Sequence, residues 1–332
     1  MSHDVCVVGA GWSGLSAAAS LRSAGLDVVV VEKARGPGGR CATRRQGGFA
    51  FDHGGQYFTA RSTAFAEQTE HWKSLGLIAA WQPRLQVFGQ RPGNAGTPPA
   101  ERLVGVPGMN AVLKHMSGDL DCRFGWRAGR LRRLSDGWEI ERDDGLDNLR
   151  AGALVVTAPP RQAAELLRGH GPLAAQIEAV PMNPCWALML GFDQPLETDF
   201  DAAFDNDGPL AWLARNSSKP GRIGEAWLLH ASAAWSKRFL ESDLDWVAEQ
   251  LLAAFRARVP AAADQAPALV SAHRWRYALA PEPLEQACLA DPAQKLVVAG
   301  DWCAGNRIEG AWSSGRAAAQ CLLKPSRAKG LR

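Results

Sequence analysis

The residues best suited to chemistry stand near the start of the chain. Val5-Cys6-Val7-Val8 runs into Gly9-Ala10-Gly11-Trp12-Ser13-Gly14, and Glu32 follows after one helix and one strand. The G-x-G-x-x-G spacing has a mechanical reading. Gly9 permits the tight turn out of a strand, Gly11 lets a pyrophosphate approach the main chain, and Gly14 lets the next helix pack closely on the sheet. Unpaired N–H groups at the helix start, carrying roughly half a positive charge, attract phosphate oxygens. Glu32 closes the run Asp27-Val28-Val29-Val30-Val31, where its carboxylate can accept hydrogen bonds from an adenosine ribose diol. An acid at that point favours a free ribose 2′-hydroxyl, which both FAD and NAD carry. A glycine triplet alone says little in a chain with 34 glycines. Strand, helix, strand and terminal acid in one unit say much more.

A second constellation lies far along the chain. Lys295-Leu296-Val297-Val298-Ala299 reads as a buried strand ending in Gly300-Asp301, and Glu309-Gly310-Ala311-Trp312 opens a helix of small residues through Gln320. A simple NAD domain does not need this unit; a longer coenzyme lying across the sheet does. Asp301 can accept from a ribityl hydroxyl. A helix beginning near Gly310 can aim N–H groups at the edge of a flavin and stabilise negative charge on its reduced form. Between the two constellations, the loop Gly36-Pro37-Gly38-Gly39-Arg40 offers an arginine fork for a pyrophosphate. Asp52-His53-Gly54-Gly55-Gln56-Tyr57-Phe58 is a further glycine turn with polar and aromatic groups.

The elements that must position these residues follow from periodicity. Leu15–Ala24 reads as the helix after the glycine turn. Residues 63–76 predict a helix with Phe65, Trp72 and Leu75 on one face. Residues 243–259 predict another, with Leu244, Val247, Leu251 and Phe255 in a stripe and Ser242 as N-cap. Val106-Pro107-Gly108-Met109-Asn110 looks like a turn into a short helix, and Ser135-Asp136-Gly137 like a hairpin turn. Ala153–Ala158, stopped by Pro159 and Pro160, should return the chain to the nucleotide sheet. Residues 186–190, 211–214, 226–230 and 268–277 read as strands of a second sheet. Gly89–Pro99 reads as a loop or hairpin tip.

Composition narrows the class. A 332-residue chain with 46% hydrophobic and 21% charged residues has room for two domains of a globular protein. Its formal net charge of +3 and the absence of basic runs argue against a nucleic-acid partner. No apolar stretch reaches the ~18 residues of a membrane span. The N-terminal run carries Asp4 and a glycine fingerprint, so it reads as structure rather than a signal peptide, and a cytoplasmic protein is expected. The seven cysteines show no C-x-x-C and no Cys/His ligand spacing. Mostly buried free thiols and no metal are expected.

With these motifs in view, the chain resembles the FAD-dependent amine oxidase superfamily. The resemblance rests on Val7–Gly14, Glu32-Lys33, Gly38-Gly39-Arg40 and Gly300-Asp301 through Glu309-Gly310-Ala311. More narrowly it resembles the bacterial renalase-like proteins, through Asp52–Arg61 (DHGGQYFTAR), Trp212–Arg222 (WLARNSSKPGR), Trp227–Ser236 (WLLHASAAWS), Ala272–Tyr277 (AHRWRY) and Gly300–Gly315 (GDWCAGNRIEGAWSSG). The resemblance implies an α/β, two-domain p-hydroxybenzoate-hydroxylase-like flavoprotein: a Rossmann-type FAD domain plus a substrate domain with a mixed β-sheet. The expected bounds are 1–70, 103–165 and 281–325 for the FAD domain and 71–102 and 166–280 for the substrate domain, with 326–332 a disordered tail.

The resemblance further implies noncovalent FAD, with contacts from Ser13, Glu32, Lys33, Arg40, Gln56, the Ala128 main chain, Asp301 and the main chain of Gly310, Ala311 and Trp312. It implies hydride transfer to flavin N5 and reoxidation by O2 to H2O2. The implied substrates are mis-reduced 1,2- and 1,6-dihydro isomers of NAD and NADP, oxidised to NAD(P)+ in metabolite repair. Tyr57, His230, Trp275 and Arg307 are the expected pocket residues, with no catalytic acid or base required, because aromatisation of a dihydropyridine drives the transfer.

Amine oxidases of the superfamily carry an aromatic residue at the position of Arg307. An arginine there repels a protonated amine and suits an anionic dinucleotide. The lysine usual near flavin N5 has no counterpart in His273-Arg274-Trp275. An amine oxidase, another flavin oxidoreductase such as a desaturase or mutase-type enzyme, and a flavoprotein binding module without turnover remain the alternatives.

Overall fold

A computed structural model describes residues 2–90 and 100–324. The expected Gly/Pro-rich loop falls, from residue 91 to 99, outside the described residues, as does the expected tail over 326–332. The described residues divide into two compact units. Residues 2–39, 113–181 and 280–324 form the first; residues 40–90, 100–112 and 182–279 form the second. Residues 40–70 and 103–112, expected with the coenzyme-binding segments, group with the second unit. Residues 166–181, expected with the substrate segments, group with the first.

The first unit is built on a sheet in which Leu296–Val298, Asn148–Val156, Ser2–Val8, Val28–Glu32 and Asp121–Phe124 lie side by side and parallel. Every residue of Val28–Glu32 is buried, as an unbroken β-branched run requires when both faces of a parallel strand are covered. The strand expected at 153–158 does return the chain to this sheet: Val155 pairs with Val7 and Val297. Leu289–Asp291 adds an antiparallel edge. Ala128–Arg133 and Trp138–Arg142 form the expected hairpin beside Asn148–Val156, its turn closed by Leu134 N–H donating to Gly137 O at 2.8 Å. Helix Trp12–Ser23 begins earlier than expected, and helix Ile308–Leu323 packs against it. Their backbones meet so closely that a Cβ on Gly315 would lie 2.0 Å from Ser13 O.

The second unit holds a mixed six-stranded sheet in the order Leu269–Leu279, Asn183–Phe192, Glu225–Ala231, Leu210–Arg215, Ala202–Asp205, Leu85–Phe88. The pairing is antiparallel except for the last pair, which is parallel. Alternation along the strands sorts the two faces. Trp186, Leu188 and Leu190 join Trp227, Leu229 and Leu213 in a core that buries Val247, Leu251 and Phe255 of helix Leu244–Arg258. Asp243, rather than the expected Ser242, caps that helix, accepting from the N–H groups of Asp245 and Trp246; Leu244 stays exposed. The opposite face carries Ala187, Met189, Ala226 and Leu228 against Phe51 and Trp275. By the same alternation Trp212, His230 and His273 lie on this second face. Helix Thr63–Ser74 buries Phe65 and Trp72 as expected, while Leu75 falls just past its end and is exposed.

Candidate functional site

In the first unit the glycine turn has the geometry its spacing implies. Gly9 sits at φ +110°, a conformation that favours glycine, and an added Cβ would meet Thr157 Oγ1 at 2.5 Å. A Cβ on Gly14 would lie 1.8 Å from Gly9 O. A Cβ on Gly11 would meet nothing within 4 Å, so the main chain there is open to a ligand. Gly11 is the N-cap of helix Trp12–Ser23 and provides no side-chain cap. Beside it, Ser13 Oγ is buried without a hydrogen-bond partner.

Glu32 fastens this turn. One carboxylate oxygen accepts from Ala10 N–H and the other from Ala34 N–H, each at 2.8 Å. Each oxygen keeps a further lone pair for a ribose hydroxyl. Trp126 N–H donates to Glu32 O at 2.9 Å, which brings Trp126-Arg127-Ala128 alongside the end of the acidic strand. Lys33 Nζ donates to Gln162 Oε1 at 3.1 Å. Burial lowers the Lys33 pKa and Arg127 lowers it further, against an opposing pull from Glu32. Gly39, at φ +52°, lies against Gly11: its Cβ would be 3.7 Å from Gly11 Cα.

At the distal constellation, Gly300 N–H donates to Ser314 Oγ at 3.0 Å and buried Asp301 opens the short helix Asp301–Ala304. A Cβ on Gly310 would strike Gly305 O at 2.5 Å. The following helix starts at Ile308, not near Gly310. Ala311 N–H is already bonded to Arg307 O at 2.9 Å, so Ala311 and Trp312 lie too deep in the helix to offer their N–H groups to a ligand. The first main-chain bond of that helix is the one that Arg307 O accepts. Trp312 is buried, with the Arg316 guanidinium 4.6 Å above its ring. Arg307 is the exposed N-cap and makes no side-chain cap.

The remaining expected site residues belong to the second unit. Arg40 donates from Nη1 to Ala278 O at 3.0 Å. Its own carbonyl accepts from Gly55 N–H at 2.8 Å and would be 1.9 Å from a Cβ on Gly54, which explains the Gly54-Gly55 pair. The Gln56 side chain is fully engaged inside the unit. Nε2 donates to Asp52 O and to Gly54 O, and Oε1 accepts from Lys219 Nζ at 3.2 Å and Trp212 Nε1 at 3.4 Å. Only its main chain is left for a coenzyme.

The structure joins His230 and Trp275 through one atom: His53 O accepts from His230 Nε2 at 3.2 Å and from Trp275 Nε1 at 2.8 Å. A carbonyl can only accept, so His230 carries its proton on Nε2. Burial lowers the His230 pKa to about 4, leaving the ring neutral. Tyr57 stands with Trp81 and Trp212, ring centroids 6.1 and 5.8 Å away, and the Arg102 guanidinium lies 5.4 Å above the Tyr57 ring.

Sequence reasoning missed the charged group beneath these residues. Asp52, Lys219 and Arg222 meet with no side-chain exposure: Lys219 Nζ and Arg222 Nη2 lie 3.4 and 2.6 Å from Asp52 Oδ2. Met109 N–H and Thr43 Oγ1 donate to Oδ1 at 3.0 and 2.8 Å. Burial alone would raise the Asp52 pKa, but Lys219, Arg222 and the bond from Met109 N–H carry it below the ordinary carboxylate value. Burial brings Lys219 down to about 8. A buried lysine is therefore present, on the loop after Leu210–Arg215 rather than on the strand bearing His273. The only sequence signal was that Asp52, Lys219 and Arg222 all fall inside the DHGGQYFTAR and WLARNSSKPGR stretches.

Comparison with known proteins decides the family. The NAD(P)-binding Rossmann-like domain matches residues 7–72, and the flavin containing amine oxidoreductase family matches residues 72–323. The chain belongs to the flavin containing amine oxidoreductases. It is 41% identical over 101 residues to the hydroxyneurosporene desaturase of Rubrivivax gelatinosus, a stretch that covers 26% of this chain and 19% of the desaturase. Solved structures share the fold. Cyclohexylamine oxidase from Brevibacterium oxydans IH-35A superposes with TM-score 0.75 at 17% identity, covering 97% of this chain and 99% of that one. Wild-type putrescine oxidase bound to putrescine superposes with TM-score 0.71 at 13% identity, covering 97% and 99%.

Membership among the flavin containing amine oxidoreductases makes FAD the coenzyme, and the first unit fits it. The open space at Gly11, the partnerless buried Ser13 hydroxyl and the helix start match a pyrophosphate, and the residual lone pairs of Glu32 match a ribose. Among the described residues no helix is long and apolar enough to cross a membrane.

Proposed function

We propose that this flavin oxidoreductase is a renalase-like oxidase of mis-reduced dihydronicotinamide dinucleotides. Its substrates are the 1,2- and 1,6-dihydro isomers of NAD and NADP, its products NAD(P)+ and hydrogen peroxide, and its role cytoplasmic metabolite repair. Noncovalent FAD, held by the Gly9–Gly14 turn, Glu32 and Asp301, would supply the hydride acceptor and the outlet of electrons to O2.

The chain's own residues bind and orient. Gly9, Gly11, Ser13 and Gly14 shape the pyrophosphate cradle. Glu32 holds the adenosine ribose, with Lys33, Gly39 and the Ala128 main chain near it. Gly300 and Asp301 serve the ribityl chain, and the main chain at Gly310 serves the flavin edge. Arg40 and Gln56 position the glycine turn that carries His53 and Tyr57.

One observation carries the substrate assignment. Arg307 caps a sixteen-residue helix with its main chain alone, exposed at the end where the helix dipole disfavours a cation. A serine or aspartate would serve the helix better, so a cation at this place serves an anionic ligand instead. His230 and Trp275 agree with this reading. Their polar edges are tied to His53 O, and His230 is neutral. They offer ring surface, and at a pKa of about 4 His230 is only a weak base, which suffices for a dihydropyridine donor that needs no proton removed. The protein has only to hold the donor carbon about 3–3.5 Å from the acceptor.

Oxidation of amines is the second reading, favoured by the aromatic group Tyr57, Trp81 and Trp212, since ring faces attract cations. That group already holds cations of its own: Arg102 over Tyr57 and Lys219 over Trp81, each at 5.4 Å. Incubation of the FAD-loaded protein in air with each dihydro isomer, and separately with primary amines, tests the choice. Equal amounts of NAD(P)+ and peroxide are expected from the isomers. Turnover of amines alone would overturn the proposal.

A further inference from the structure

Cys288 and Cys321 lie with their sulfurs 3.5 Å apart in the first unit, both as free thiols. Cys288 ends the segment that leads into strand Leu289–Asp291, and Cys321 occupies the last turn of helix Ile308–Leu323. The segment is held in place by main-chain bonds on either side of Glu285. Leu284 N–H donates to Trp302 O and Gln286 N–H to Cys303 O, each at 3.0 Å. Glu285 itself is fixed in the left-handed region at φ +54°. The fold therefore delivers Cys288 to its partner instead of leaving the approach to chance. Cys321 is exposed and Cys288 half-buried, so an oxidant in solution meets Cys321 first.

We propose that Cys288 and Cys321 form a peroxide-responsive dithiol that closes to a disulfide between the 280–288 segment and the C-terminal turn of the last helix. The Cys321 thiolate attacks one oxygen of hydrogen peroxide. The O–O bond breaks, water leaves, and Cys321 becomes a sulfenic acid. Cys288 sulfur then attacks the Cys321 sulfur. The S–S bond forms, the S–O bond breaks, and the hydroxyl leaves as a second water with the Cys288 proton. Two thiols lose two electrons in all, and one peroxide is reduced to two waters. The sulfurs must close from 3.5 Å to about 2.05 Å. Burial and the neighbouring Cys321 push the Cys288 thiol up to about 12, while the exposure of Cys321 sets the order of the two steps. Cys303, the third thiol of this region, is buried and is pushed up to about 12 as well, first by desolvation.

The test adds peroxide directly to the FAD-loaded full chain, so its outcome does not depend on the enzyme's own substrate. Titration of thiols in denaturant should show two of the seven lost per chain. Peptide mapping without reductant should find the Cys288 and Cys321 peptides joined and lighter by two hydrogens. Dithiothreitol should restore both thiols, and the joined form should melt at a higher temperature. Cys321→Ser, an exposed and mild change, should abolish the joined peptide. The inference is overturned if Cys321 proceeds to a sulfinic acid while Cys288 stays a thiol. It is equally overturned if the lost thiols map to other cysteines, or if no thiol is lost at peroxide levels that oxidise free cysteine.

Discussion

Lys219 Nζ lies 3.4 Å from Asp52 Oδ2, and neither side chain touches solvent. Arg222 shares the same oxygen, so one carboxylate serves two cations. The two ends of this ion pair should respond unequally to mutation. Asp52→Asn leaves two buried cations uncompensated and should cost about 3–5 kcal/mol. Lys219→Met leaves Asp52 paired with Arg222 and removes the surplus cation, so it should cost less than about 2 kcal/mol. Urea unfolding of the two variants measures both. Equal losses would show that the pair does not work as described.

Acid should weaken the second unit through its histidines. Burial holds His53 at about 3, and His230 and His273 at about 4, each below the unfolded value of 6.5. Between 6.5 and these values the unfolded chain binds protons that the fold does not. The histidine contribution is therefore complete above 6.5 and falls as pH drops toward 4, with a slope of up to about 1.4 kcal/mol per pH unit for each ring. Denaturation midpoints recorded from pH 7.5 to pH 4.5 check this. A flat profile below 6.5 would contradict it.

Gly11 separates fold from ligand. Its φ of −89° and ψ of −173° are open to alanine, and a Cβ there meets no protein atom within 4 Å. Gly11→Ala should cost the apoprotein no more than about 1 kcal/mol, the penalty of a poorer N-cap. If the pyrophosphate fills that space, FAD affinity should fall at least about tenfold, about 1.4 kcal/mol. Titration of apoprotein with FAD reads the second effect and thermal melting the first. Unchanged FAD affinity would remove the pyrophosphate from Gly11.

Arg307 should show the opposite pattern, stability against function. Arg307→Ser supplies the missing N-cap acceptor and should stabilise the chain by about 1 kcal/mol. The same change should lower kcat/KM for dihydronicotinamide dinucleotides, because the cation is lost. A variant that gains stability with unaltered kinetics would take Arg307 out of substrate binding.

What the sequence disclosed was local, and what it concealed was long-range. The turn at Gly9–Gly14, the all-valine strand before Glu32 and the small-residue helix after Gly310 each announce themselves within about a dozen residues, because turn sterics and burial act over that distance. Helix ends were less legible. Ser242 and Asp243 are both competent caps, and only the fold shows that Asp243 accepts from Asp245 and Trp246. Apolar periodicity included Leu75 and Leu244, yet both lie at helix ends that turn away from the core. The last helix starts at Ile308 because Arg307 O accepts its first bond, so Ala311 was misjudged as a donor to the coenzyme. The Asp52–Lys219 pair spans 167 positions and has no periodic signature. Gln56 was legible as a polar residue in a glycine turn, but its partners Lys219 and Trp212 come from elsewhere in the chain.

The most direct measurement is anaerobic mixing of the yellow, FAD-loaded protein with 1,2- or 1,6-dihydro-NAD, following the visible flavin absorbance. The proposed activity predicts rapid bleaching by stoichiometric isomer, with NAD+ as product and recovery of colour on admission of O2. A flavin that stays oxidised with both isomers, yet bleaches with a primary amine, would contradict it.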